Sequence, residues 1–277
     1  MNHLSARQNF QAEISQPDDK INLGKAALFI AQTEYPNLDI EGYLTTLAEM
    51  ADRVRNRLPE SRYPLKVVQN INSYLYEELG FSGNKNNYYD PRNSFLNDVL
   101  ERRIGLPITL SLVYLEIAQH LDFPMVGIGM PGHFLIRPQF EDVGIFVDAF
   151  NQGELLFPQD CEDILSRIYQ RPVTIKAEFL QPIDRHSFLA RMLNNLKGIY
   201  LNQSQFEKAL EIIEWLLLLF PDAPHERRDR GLISYQLGNF NQAVQDLRFY
   251  LNALPQAPDA PTLQQLLLQV QIALNRD

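Results

Sequence analysis

The chain has 277 residues, a net charge of -9 and one cysteine, a length that holds one large domain or two ordinary ones and is enough to bury a core. The acidic balance argues against a nucleic-acid binder, which needs a basic stripe to neutralise phosphates. The lone Cys161 excludes an internal disulfide and a cysteine-based zinc site, and it fits a reducing cytosol.

The first seven residues carry no apolar stretch of the signal-peptide kind. The longest strongly apolar run, 215–220, falls far short of the ~20 residues a membrane span needs. The expectation is a soluble cytoplasmic protein that meets neither membrane nor nucleic acid. The arginine groups 53/55/57 and 227/228/230 read as solvated helix faces.

In chain order, residues 21–32 hold Leu23, Ala26, Ala27 and Ile30 at helical spacing, and Pro36 stops that helix. Asp39 is placed to cap a second helix bearing Leu44, Leu47, Ala51 and Val54. A third, over 65–79, buries Val67, Val68, Ile71 and Leu75 and ends at Gly80. The loop 80–89 lacks the Gly-Lys-Ser/Thr ending of a phosphate cradle. Asn93 or Ser94 then caps a helix with Phe95, Leu96, Val99 and Leu100. From Ile108 to about residue 121 apolar side chains point in nearly every direction, so this helix is expected to be buried, with Pro107 in its first position.

Short β-type runs follow over 125–130, 133–137 and 145–149. The last two read as an antiparallel hairpin whose symmetric register sets His133 opposite Asp148, Phe134 opposite Val147 and Leu135 opposite Phe146. Both faces are apolar, so helices are expected on both sides of the sheet. A helix over 158–169 and a proline-flanked linker over 171–184 come next. Beyond it Ser204, Phe206, Ala209 and Pro221 recur as Gly238, Phe240, Ala243 and Pro255, each pair 34 residues apart. That is the tetratricopeptide period. A glutamine-rich helix over 262–274 reads as a solvating cap.

The run Asp90-Pro91-Arg92-Asn93-Ser94-Phe95 leads through Gly105-Leu106-Pro107 into the buried helix, and Gly132-His133-Phe134 and Val147-Asp148-Ala149 come after it. Helix, strand with histidine, strand with aspartate: the layout resembles the transglutaminase-like core, and the wording resembles its SirB branch, which couples that core to tetratricopeptide repeats. The resemblance implies a cysteine two residues after a glycine at the helix start, its thiolate attacking an amide carbonyl, with a histidine and an aspartate in support. Counted from Gly105, that place holds Pro107.

The resemblance therefore implies a remnant dyad, His133 and Asp148, without a nucleophile. The same pair also reads as a satisfied polar contact in a sheet. Ser111, one helical turn beyond Pro107, is a weak replacement, since a hydroxyl in a buried helix is more often bonded to its own backbone. The acidic neighbours of Cys161 oppose a thiolate there. A small pocket walled by Pro107, Ile108, His133 and Asp148 is expected, with Asn93 and Arg103 as further lining candidates; Arg102 and Arg103 equally suit pairing with Asp90, Asp98 or Glu101. The five histidines show no paired-ligand spacing, so neither metal nor cofactor is implied.

The expected architecture is α+β: a transglutaminase-like core of helices and a small antiparallel sheet over 1–170, the linker, and an all-α repeat domain over 185–277. The expected role is protein–protein interaction or regulation, with a protein or peptide docking on the repeats around Tyr200 and Tyr235. A hydrolase using His133 and Asp148 without the cysteine is the alternative.

Overall fold

The computed structural model describes residues 3–60, 63–140 and 144–274. The chain forms two compact units, Met1–Met192 and Leu193–Asp277.

The first unit opens with α1 (His3–Ile14), α2 (Leu23–Ala31), α3 (Ile40–Arg55) and α4 (Pro64–Asn72). The caps follow the sequence: Asn22 accepts from the Lys25 amide at 2.8 Å and Asp39 from the Gly42 amide at 3.1 Å. Helix α1 is an element the sequence reading passed over, because Ala6, Phe10 and Ile14 make a thin buried stripe among polar residues. After α4 the chain winds on as a π-helical stretch, Ser73–Glu78, and stops at Gly80, whose φ is +74°.

Two short strands, β1 (Ser82–Gly83) and β2 (Ile104–Gly105), pair in parallel across α5 (Leu96–Arg102). The cap of α5 is Phe95 rather than Asn93 or Ser94. Those two residues belong to a 3-10 turn, Pro91–Asn93, and its exit, with Asp90 accepting from the Arg92 amide at 3.0 Å. Next comes α6 (Pro107–His120), buried at every position from Pro107 to Ala118, so it forms the axis of the unit.

Strands β3 (Met125–Ile128), β4 (Leu135–Pro138), β5 (Phe146–Asp148) and β6 (Glu154–Leu156) make an antiparallel sheet in chain order. Ile136 pairs with Val147, so the hairpin register is displaced by two residues from the symmetric expectation. His133 precedes β4 in a turn made at Gly132, whose φ is +73°, and lies outside the ladder. A two-residue shift keeps every side chain on its side of the sheet, because the pleat repeats every second residue. One face packs Ile128, Leu135, Phe146 and Leu156 against Cys161 and Leu165 of α7 (Pro158–Tyr169). On the other, Phe134 meets Phe188 edge-on at 5.1 Å.

Residues 171–184 run along the same unit: Val173, Ile175, Phe179 and Leu180 pack on the α7 cluster, and the Ile183 amide donates to the Gly127 carbonyl at 3.0 Å. Helix α8 (Arg185–Asn202) contains the division between the units, after Met192.

The second unit continues α8 with α9 (Phe206–Leu219), α10 (Pro224–Gln236), α11 (Phe240–Ala253) and α12 (Ala260–Leu274). The 34-residue pairs are structurally equivalent. Ser204 and Gly238 both take positive φ, 55° and 78°, Phe206 and Phe240 both open helices, and Ala209 and Ala243 are both fully buried. The arginines of α10 are not a solvated face. Arg230, 11% exposed, clamps the fully buried Asp246, because the 34-residue stacking encloses both.

Candidate functional site

Asp148 ends β5 and caps the following 3-10 turn, Ala149–Asn151. Its Oδ1 accepts from the amides of Phe150 (3.0 Å) and Asn151 (3.2 Å), and its Oδ2 accepts from the Asn151 side chain at 2.8 Å. The same Oδ2 lies 2.7 Å from His133 Nε2. Burial pushes the carboxyl's pKa up, but the bond and charge of His133 and the bonds from Asn151 outweigh it, and the net direction is down. With Asp148 an acceptor, Nε2 donates the proton of this bond. No described residue bonds Nδ1, and the histidine side chain is 12% exposed.

Neighbours that the sequence reading did not single out fix the histidine. Arg191 donates through Nη2 to the carbonyls of Met130 (2.9 Å) and His133 (2.6 Å), tying down both ends of the turn, while its guanidinium lies over the Phe134 ring. The Phe150 ring stands edge-on to His133 at 6.5 Å, with Tyr88 beyond it at 6.1 Å. Behind the dyad the half-buried Tyr76 donates through its hydroxyl to the Ala149 carbonyl at 3.1 Å. Asp148 was detectable in principle as a turn former, since an Asp side chain commonly bonds the backbone two residues on, here at Phe150; Asn151 had no such signal. Arg191 had no local signal.

The remaining candidates fall in several places. Pro107 and Ile108 are buried in the first turn of α6. The hydroxyl of Ser111 is fully buried and bonds nothing among the described residues, not even its own backbone. Asn93, fully buried, is a clamp: its Nδ2 donates to the carbonyls of Asn87 (2.8 Å) and Tyr88 (3.1 Å), its Oδ1 accepts from Asn84 (3.0 Å), and its carbonyl accepts from Thr109 in α6 (2.7 Å). Arg103 follows α5 at φ 59° and donates to the Leu79 carbonyl at 2.8 Å, and it pairs with no carboxylate among the described residues. Arg102 reaches Asp90 at 3.7 Å. Cys161 is fully buried under the sheet, and burial first, then Asp160 and Asp148, push its thiol up to about 11. A hollow of about 390 Å³ beside the dyad is lined by Ser82, Gly83, Lys85, Phe150, Asn151 and Gln152. No group of three His, Cys, Asp or Glu side chains able to hold a metal ion occurs among the described residues.

In the second unit, a hollow of about 560 Å³ is lined by Glu214, Arg230, Ser234, Phe240, Gln242 and Gln245, among others. Ser234 is 1% exposed and its hydroxyl has no partner among the described residues. Tyr235 is exposed against Phe240, whereas Tyr200 is buried and contributes packing rather than surface. No described helix is long and apolar enough to cross a membrane.

Residues 41–194 match the family model of the transglutaminase-like superfamily, and residues 196–268 match that of the tetratricopeptide repeat. A UPF0162 protein of Xylella fastidiosa is 38% identical over 86% of this chain and 86% of its own length. One from Vibrio cholerae is 29% identical over 88% and 91%. Human F-box only protein 21 is 26% identical over 77% of this chain, which corresponds to 38% of that longer protein. No solved structure matches.

Proposed function

The chain belongs to the transglutaminase-like superfamily, and we propose that it is a non-catalytic member of the SirB branch, a cytoplasmic interaction or regulatory protein whose repeats dock a protein or peptide. The observation that carries this reading is the start of α6. Counted from Gly105, Pro107 stands where the resemblance implies the attacking thiol, and the one cysteine of the chain is buried with its thiol pushed up to about 11. A thiol in that state supplies almost no thiolate at neutral pH.

The hollow in the second unit supports the docking half. Its wall of amide side chains offers donors and acceptors of the kind a peptide backbone uses. Asn241 and Gln245 are exposed there, so charging both as arginines leaves the core alone. Partner capture by the full chain should be lost in that double variant, and capture at the wild-type level would refute this docking surface. Truncation after Asp184 is a poorer test, because it removes Phe188 and Arg191 from the first unit.

The second reading, a hydrolase, rests on the free Nδ1 of His133. A histidine held by a buried carboxylate, with its other nitrogen bare, has the geometry of a general base for water. The full-length protein and its His133→Ala variant should be compared on broad amide and ester substrates. Equal background rates agree with the non-catalytic reading; turnover that disappears in the variant would replace it with the hydrolase.

A further inference from the structure

The largest cavity described in the first unit, about 550 Å³, lies on the other side of α6 from Pro107. Glu116, which lines it, is half a turn round the helix from Pro107 at 100° per residue. The volume is that of small-molecule sites, which run from about 300 to 1,000 Å³.

Its charge is one-sided. Asp18, Asp19, Asp122, Asp184 and Glu116 line it against one cation, Arg185. That cation is occupied elsewhere: its guanidinium bonds to the Ile21 carbonyl, and no described carboxylate pairs with it. Asp18 and Asp184 spend one oxygen each on backbone amides, those of Arg185 (2.9 Å) and Ser187 (2.6 Å). Asp18 also lies 3.2 Å from His186, and Asp19 pairs with the exposed Lys20 at 3.4 Å.

Glu116 is the independent observation. The residue is only 4% exposed, yet it carries a carboxylate within a helix that is buried at every position from Pro107 to Ala118. Its Oε1 accepts from the Gly24 amide at 2.9 Å, at the start of α2. Its Oε2 receives no hydrogen bond from any described residue, and no described cation pairs with it. A buried carboxylate left half-satisfied is costly unless something supplies a donor. Burial accordingly raises its pKa, against the Gly24 bond and the more distant Arg185 charge. Around it the walls are apolar: Leu23, Leu115, Phe123 and Phe188.

We propose that this cavity binds an organic cation, a primary ammonium on an apolar stem, with the ammonium donating to Oε2 of Glu116 and the stem lying against the Leu115 and Phe123 side of the wall. The carboxylates at the rim draw the cation in, and the buried one fixes it. A neutral ligand of the same shape would leave Oε2 without its donor. An anion would meet five carboxylates.

The test uses the full chain and n-butylammonium chloride, followed by protein-observed NMR titration, with n-butanol and sodium butyrate as shape-matched controls. The ammonium should bind at least about tenfold more tightly than the alcohol, and butyrate should not bind. Glu116→Gln keeps an oxygen for the Gly24 amide while removing the charge, and should weaken the ammonium about tenfold or more. Asp122 is exposed at φ 55°, a conformation asparagine tolerates. Asp122→Asn therefore probes the rim in a folded protein and should weaken binding about two- to threefold. Equal affinity for ammonium and alcohol overturns the proposal, as does unchanged affinity in a folded Glu116→Gln protein or, should that variant not fold, in Asp122→Asn. A blocked lysine, N-acetyl-lysine N-methylamide, distinguishes the source. Binding tighter than that of butylammonium assigns the site to a lysine side chain of another protein, and weaker binding assigns it to a free alkylamine.

Discussion

Among the described residues each unit buries one aspartate completely, and the two are finished in opposite ways. In the repeat unit, Asp246 is closed on every side: Arg230 grips it through Nε (2.7 Å) and Nη2 (2.8 Å), Arg227 approaches at 3.4 Å, and Gln242 fills the remaining lone pair at 2.9 Å. In the first unit, Asp148 is held by two amides and an asparagine, and its one ionisable partner, His133, keeps a nitrogen bare. A fork from arginine fixes geometry and cancels charge. A histidine fixes geometry and leaves a base behind. Burial alone therefore does not distinguish a structural carboxylate from one with chemical potential; the partner's spare capacity does.

The comparison breaks first at Asp246. Asp246→Ala leaves Arg230 buried without its fork, and the expected loss is about 3–5 kcal/mol. The single tryptophan, Trp215, lies buried in α9, so its fluorescence reports the unfolding of this unit in a urea titration. A loss under about 1 kcal/mol would mean the network is ornamental.

At Pro107 the effect is kinetic. Pro107→Cys places a thiol at the N-terminus of α6, and it should alkylate about a hundredfold faster at pH 7 than the buried Cys161. Adding His133→Ala should remove part of that advantage. Equal rates for the two thiols would strip the corner of any remnant chemistry.

Asp148→Asn is milder, with about 1–3 kcal/mol expected from the disturbed hydrogen bonds. Its pH signature is more telling. The folded pKa of Asp148 lies below its unfolded value of ~3.9, so the unfolded chain binds more protons in that window. The stabilisation is thus present above ~3.9 and is lost as pH falls through the folded value. Acid titration of wild type should show this loss, and the asparagine variant should lack it.

The smallest effect belongs to Ser111→Ala. Removing a hydroxyl without a described partner from a helix interior should stabilise by up to about 1 kcal/mol. A destabilised variant would show that the hydroxyl has a partner and would revive Ser111 as a candidate.

How much of this was readable beforehand depended on the range of the interaction. The buried α6, the cap Asp39, the stop at Gly80 and the 34-residue repeat are written in local spacing, and each appears in the structure. His133 and Asp148 were set directly opposite each other by a symmetric register that the structure displaces by two residues; their side chains still meet, because a slip of two keeps both on one face. What escaped was long-range or set by a neighbour's geometry. Arg191 reaches a turn 58 residues earlier. Asn93 was expected to line a cleft and became a clamp, because its amide completes a loop whose course no periodicity encodes. Glu116 lay within a helix read only for its apolar residues, and the cavity beside it needs α2, α6 and β3 together.

The π-helical stretch Ser73–Glu78 has a consequence for the chain's tolerance of length change. Leu79 donates to the carbonyl of Tyr74, five residues back, at 3.0 Å, so this turn holds one residue more than its α-helical equivalent. Deleting one of its residues would return the turn to an ordinary α-helical one and leave the helix on either side in nearly its present phase, because the extra residue is what the wider turn accommodates. Asn72, wedged against Gly153 and bonded to its carbonyl at 2.7 Å, and Tyr76, bonded to Ala149, stand four residues apart within this segment. A single-codon loss between them would draw them one place closer and disturb the support of the 148–153 turn. The same loss at 77 or 78 would spare both contacts.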